Sequence, residues 1–290
     1  MKFISKILIQ FIELLFYGNF WIALGALAMV LQTNLLIEKT LYLGNYEVFV
    51  FSSTLFLYAL HRIIGLQRVQ KFSDKGRYLV IKKFKTHIFT YAVLGGIIAS
   101  ICFLKLPTYI KLLTVSPALL SMGYVAPIFG KNRRLRDFDF LKIFLVAFVW
   151  AWVTVILPFS IHKYWEIKLL APMFIERFLF IFAITIPFDI RDLKIDNDGN
   201  VSTIPGLIGI QKSMLLSYAA LVLMIVFSSY LFAVGFYPLS YYYGLLLSFL
   251  TTSILIYLTD KQSHDYFFTG VIDGTMILQF IFVFIFHQIF

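Results

Sequence analysis

The chain has 290 residues, of which 60% are hydrophobic and 14% charged, with a mean hydropathy of +0.87. That balance excludes a water-soluble core and surface: the solvent for most of the chain is lipid, and little sequence is left for an extramembrane domain. The net charge of +10 is read as an orientation signal and an attraction for lipid headgroups or phosphates, with no nucleic-acid partner. Cys102 is the sole cysteine, which rules out an intramolecular disulfide and a cysteine-based zinc site.

In chain order, Lys2, Lys6, Gln10 and Glu13 come first, spaced to share one helical face. They predict an interfacial amphipathic helix over residues 1–18, not a signal peptide. Apolar runs then fall at Phe20 to Ile37, Val48 to Ile64, Ile88 to Leu106, Ile110 to Phe129, Ile143 to Ile161, Leu169 to Phe188, Met214 to Phe236, Leu239 to Leu258 and Phe267 to Phe290. Each is near the ~20 residues that cross a bilayer, so residues 1–290 read as one all-α, polytopic membrane domain with about nine transmembrane helices over 20–290. Pro187 disfavours helical geometry at Ile186, which predicts a kink there and a fresh turn beginning at Asp189.

With nine spans, nineteen of the 25 Lys and Arg residues fall on the side of the N-terminus. The positive-inside rule makes that side cytoplasmic and the host the cell (inner) membrane. Nine of the fifteen acids lie there too, most densely from Asp189 to Asp198. Spacings of 3 and 4 put Asp189, Asp192 and Asp196 within roughly 60° of one another on a helix. Like charges so placed repel, and a hard divalent cation with substrate phosphate oxygens is the usual compensator; a solvated helix end neutralised by Arg191 and Lys194 is the competing reading.

Asp189-x-x-Asp192-x-x-x-Asp196, followed by Gly199, Ser202-Thr203-Ile204-Pro205 and Gly209, resembles the second aspartate-rich motif of the UbiA superfamily of membrane prenyltransferases. The count of about nine spans and Tyr124-x-x-Pro127 with the basic run Lys131, Arg133, Arg134 and Arg136 are similar to that superfamily as well. The resemblance implies nine helices around a central cavity and an intramembrane transfer of an isoprenyl group from a prenyl diphosphate to an aromatic or other lipophilic acceptor. It further implies Mg²⁺ as cofactor, held by Asp192 and Asp196 with Asp189 assisting, Tyr124 near the acceptor or leaving group, and Lys131, Arg191 or Lys194 on the diphosphate.

The superfamily's first acidic motif has no counterpart: the corresponding stretch runs from Tyr58 through His61, Arg62 and Arg68 with no carboxylate before Asp74. Two expectations follow. Either His61, Arg62 and Arg68 contact the diphosphate directly, replacing one Mg²⁺ with fixed positive charge, or the protein binds an isoprenoid or lipid without turning it over. Asp273, about two turns into the last span, is a candidate intramembrane acid that pairs with an arginine or adds a carboxylate to the cavity.

Overall fold

The computed structural model describes residues 12–68, 76–128, 130, 133–199, 201–259 and 265–289, and no strand is present among them. Of the helix expected over 1–18, residues 12–17 are helical and the first eleven lie outside the described residues. Glu13 ties this segment down, accepting from the Tyr266 hydroxyl at 3.3 Å and lying 3.5 Å from the Lys83 ammonium. The chain continues as α1 (Phe20–Glu38), α2 (Asn45–Arg68), α3 (Gly76–Lys83), α4 (Lys85–Lys105), α5 (Thr108–Val125), α6 (Leu141–Ile161), α7 (Ile167–Asp198), the short α8 (Ile204–Ile208), α9 (Ile210–Ala233), α10 (Leu239–Thr259) and α11 (Phe267–Ile289). Eight of these are long and apolar enough to cross a membrane. The remaining expected span is α5, which is 18 residues long and carries Lys111 and Pro117 inside it. The molecule is an integral membrane protein, and the expected count is met when α5 is included.

Packing separates a buried interior from a lipid-facing skin. Phe89, Leu94, Ile97, Ile101 and Leu104 of α4, with Leu112 and Leu119 of α5, are exposed. Such a belt is unstable in water and natural in hydrocarbon. Inside, α1, α6, α7, α9, α10 and α11 meet around Met29, Met173, Phe180, Leu221, Leu245 and Ile272. Close helix approach depends on small residues: a Cβ on Gly244 would lie 2.6 Å from Cα of Val283, so α10 and α11 touch through backbone.

No fresh turn begins at Asp189. The helix runs unbroken from Ile167 to Asp198, through both Pro172 and Pro187. Proline removes the N–H that would bond the carbonyl four residues earlier, here that of Ala183, and in lipid no water can replace it. The Ser217 hydroxyl of α9 donates to that carbonyl at 2.7 Å. The same solution recurs twice. Pro117 frees the Leu113 carbonyl, which accepts from Nε1 of Trp152 at 3.1 Å, and Pro158 frees that of Thr154, which accepts from the Thr33 hydroxyl at 2.7 Å. Around Pro158 the helix widens into a π turn, Trp152–Ile156.

At 32 residues, α7 is ~48 Å long, against ~30 Å of hydrocarbon. Its last turns therefore reach past the apolar layer, carrying Asp189, Asp192 and Asp196 to the basic end of the bundle.

Candidate functional site

The three aspartates share one face, as their spacing requires, and each is engaged by a cation of the chain. Lys142, on the first turn of α6, inserts its ammonium between two of them: Nζ lies 2.7 Å from Oδ1 of Asp189 and 3.2 Å from Oδ2 of Asp196. All three side chains are buried. Asp192 takes a two-pronged bond from its neighbour Arg191, with Nε and Nη2 at 2.9 and 3.2 Å from its two oxygens. The Arg191 guanidinium lies against the rings of Phe188 and Phe268, 5.0 and 5.2 Å from their centroids, and is 3.9 Å from Asp265. Lys194 is exposed and makes no ion pair among the described residues.

Across from this face, the ends of α2 and α5 bring His61 and Tyr124 together, ring centroids 5.8 Å apart. Between them and the aspartates comes Arg136, in the 3₁₀ turn Leu135–Asp137. Its Nη1 meets Nε2 of His61, and its guanidinium lies 5.3 Å above the Tyr124 ring. Arg136 makes no ion pair with a carboxylate among the described residues. Burial opposes its charge, but Tyr124, Asp196, Asp192 and Asp137 favour it and raise its pKa above the ordinary arginine value. Arg62 donates to the Phe16 carbonyl at 3.2 Å and lies 5.4 Å over the Tyr17 ring, so it also fastens the N-terminal segment. Asp273 follows the π turn Phe267–Ile272 and feels the charges of Arg191 and Arg62 without an ion pair to either. Lys131 lies outside the described residues, as does the side chain of Arg68.

Two loops hold Arg136 and Lys142 in place. Arg134 caps the 3₁₀ turn, its Nη2 2.7 Å from Oδ1 of Asp137; burial pushes the Asp137 carboxyl up, but the bonds from Arg134 win and hold it below the usual carboxylate range. Asp139 accepts from the Ser202 N–H at 2.7 Å, and the Phe140 N–H donates to the Ser202 carbonyl at 3.0 Å. Thr203 then caps α8 by accepting from the Gly206 N–H at 3.3 Å, and Gly209 turns the chain at φ 83°, φ space open to glycine. The stretch downstream of the aspartates is thus the clip that docks the α7–α9 connection onto the α5–α6 connection.

From His61 and Tyr124 a cavity of about 210 Å³ runs into the bundle, walled by α1, α2, α5 and α6 and reaching Phe49, Val153 and Thr154. Most of its wall is aliphatic or aromatic, with Tyr58 and Trp150 among the rings. Among the described residues no lysine or arginine lines it; at the His61 and Tyr124 end Arg136 stands directly behind both rings, and the rest of the wall is apolar, which suits an amphiphile with an anionic head.

As arranged, these side chains do not fit a divalent cation. No group of three or more His, Cys, Asp or Glu among the described residues is placed to hold a metal ion, and the carboxylates nominated by the sequence are already joined to Lys142 and Arg191. Sequence reasoning brought together His61, Tyr124 and the three aspartates; it missed Arg136 and Lys142 as site residues. The available signal for Lys142 was a lysine opening an apolar run directly after Asp137 and Asp139.

A second buried polar group lies in the other half of α7. Glu176 accepts from Ser228 and Tyr237 at 2.8 and 2.9 Å, and Arg177 donates to the Met29 carbonyl at 3.0 Å. These two charged residues are held inside the bundle.

No family model and no curated protein matches the sequence. Solved structures do match in fold. A UbiA homolog from Archaeoglobus fulgidus bound to DMAPP and Mg²⁺ aligns with 97% of this chain and 99% of its own at a TM-score of 0.62 and 12% identity. A UbiA homolog from Aeropyrum pernix K1 aligns over 96% of both chains at 0.56 and 15%. A structure described for digeranylgeranylglyceryl phosphate synthase in membranes covers 97% of both at 0.56 and 15%. At such identities the shared property is the three-dimensional arrangement: the chain has the UbiA fold.

Proposed function

We propose that this is a UbiA-type membrane protein that binds a prenyl diphosphate and transfers its isoprenyl group to a lipophilic acceptor, aromatic or otherwise. The observation that carries the reading is the end of the apolar cavity at His61 and Tyr124, both of which are contacted by Arg136, a guanidinium with no carboxylate partner among the described residues. The tail lies in the cavity and the diphosphate lies against Arg136 and His61, with Arg62 and Arg191 at the rim. Guanidinium presents paired N–H donors that match phosphate oxygens. As the bond from the prenyl carbon to the diphosphate oxygen lengthens, negative charge grows on the oxygens facing Arg136, and the faces of Tyr58, Tyr124 and Trp150 are available to the positive carbon. The basic end is proposed to face the cytoplasm of the inner membrane, where the diphosphate is supplied.

The test is binding of geranyl S-thiolodiphosphate to protein in nanodiscs, with diphosphate release from geranyl diphosphate as a second readout. Losing a hydrogen bond to a charged group costs about 1.5–3 kcal/mol, so Arg136→Ala should weaken binding by about tenfold or more. Equal affinity of wild type and Arg136→Ala would refute the placement. A second reading, in which the protein holds an isoprenoid or lipid without turnover, is favoured by the carboxylate-free stretch from His61 to Arg68 and by the occupied aspartates. Retained binding with no diphosphate release from donors of several lengths would select it.

A further inference from the structure

We propose that the ammonium of Lys142 stands where a divalent cation would otherwise sit between Asp189 and Asp196, and that the basic end therefore binds a diphosphate through the chain's own cations, without Mg²⁺. The diphosphate half of this statement rests on the reading above; the exclusion of metal from the aspartates does not.

The argument starts from distances. Asp189 and Asp196 are seven residues apart, so one face of α7 presents both, and their oxygens converge on a single point at 2.7 and 3.2 Å. Mg²⁺ demands oxygens at ~2.0–2.1 Å in an octahedral shell. The observed contacts, an N–H···O bond to Asp196 at 3.2 Å and an ion pair with Asp189 at 2.7 Å, are longer than Mg²⁺–oxygen bonds and are made by an ammonium on a buried side chain with no path to diffuse away.

Lys142 is also fixed in position. It follows Phe140, whose φ of 60° turns the chain into α6, and the Asp139–Ser202 clip ties that turn to the segment after the aspartates. The third carboxylate offers no alternative, since both oxygens of Asp192 accept from Arg191, itself packed against two aromatic rings. The facing helix end supplies His61 and Arg62 in place of acids. Lys142 and Arg136 together then provide two fixed positive charges within electrostatic reach of each other and of His61. Removing Lys142 would leave two buried carboxylates converging on an empty point, the arrangement that attracts a divalent cation.

The experiment measures Mn²⁺ uptake by electron paramagnetic resonance, and geranyl S-thiolodiphosphate affinity in EDTA and in millimolar Mg²⁺, for wild type and Lys142→Ala in nanodiscs. Wild type is expected to leave the free Mn²⁺ signal undiminished and to bind the thiolodiphosphate with the same affinity, within about twofold, in either medium. Lys142→Ala is expected to take up Mn²⁺ and to gain thermal stability on adding Mg²⁺, as a protein does when a ligand binds only its folded state. Stoichiometric Mn²⁺ uptake by wild type, a loss of more than about tenfold in EDTA, or a folded Lys142→Ala protein that ignores both metals would overturn the proposal. If Lys142→Ala does not fold, the wild-type Mn²⁺ titration alone decides. If wild type binds no thiolodiphosphate in either medium, the functional reading fails while the Mn²⁺ result still tells whether the aspartates take a metal.

Discussion

Ser217 supplies to α7 a hydrogen that α7 cannot supply to itself. The carbonyl of Ala183 lacks its helical partner because residue 187 is proline, and the Ser217 hydroxyl fills the gap at 2.7 Å. Ser217→Ala should cost about 1–2 kcal/mol, the range for an unsatisfied buried acceptor or a lost interhelical bond in lipid. In a Pro187→Ala background the restored N–H takes over, so the same serine change should become nearly neutral; thermal unfolding of the four proteins of this double-mutant cycle measures the difference. An equal cost in both backgrounds would separate the serine from the proline. Pro187 was plain in the sequence, and a kink was its local consequence. Its remedy was not legible, because the hydroxyl comes from another helix thirty positions later, and no local rule links the two. Lys142 hid in the same way. A period of 3 and 4 exposes the face of α7 that bears three acids, but the cation that Asp189 and Asp196 share is on α6.

At the level of elements, the site is held by two connections that clip together. The run Ser202-Thr203-Ile204-Pro205 was legible as part of a motif, and it opens a short helix with Thr203 as its cap. What it docks against could not be read from local spacing: Asp139 takes the Ser202 N–H, and Phe140 returns a bond to the Ser202 carbonyl. The bond from the Ser202 N–H lowers the Asp139 pKa below the usual carboxylate range. A carboxyl whose pKa is lower folded than unfolded adds stability that is complete above the unfolded value and fades as pH falls through the folded one. Asp139→Asn should therefore lower the unfolding temperature near neutral pH and have a diminishing effect as the medium approaches about pH 3. A constant gap between the two proteins across that range would contradict a charged clip.

For the whole molecule, hydropathy was enough to give the architecture: an all-helical bundle whose spans fall where apolar runs were seen, with the likeness to solved structures persisting at 11–15% identity. Which way the bundle faces is a separate matter, argued from the concentration of Lys and Arg at one end. Lys163 precedes α7 and Lys194 lies in its last turns, both exposed, so they mark opposite faces of the membrane. Lys194→Cys should react with an impermeant maleimide only in inverted vesicles and Lys163→Cys only in right-side-out ones, with the buried Cys102 giving little background; the opposite pattern would invert the orientation. The proline-freed carbonyls carry a further consequence, which concerns time. Chains enter the membrane N-terminus first. Thr33 is already in place when Pro158 arrives, so that gap closes as α6 is made. Pro117 must wait for Trp152, and Pro187 for Ser217. Between synthesis of α7 and α9 the Ala183 carbonyl is bare, and an open acceptor in hydrocarbon is costly. The nascent protein thus has two intervals in which a helix already made depends on one not yet made, and the longer opens at Leu113 and closes at Trp152.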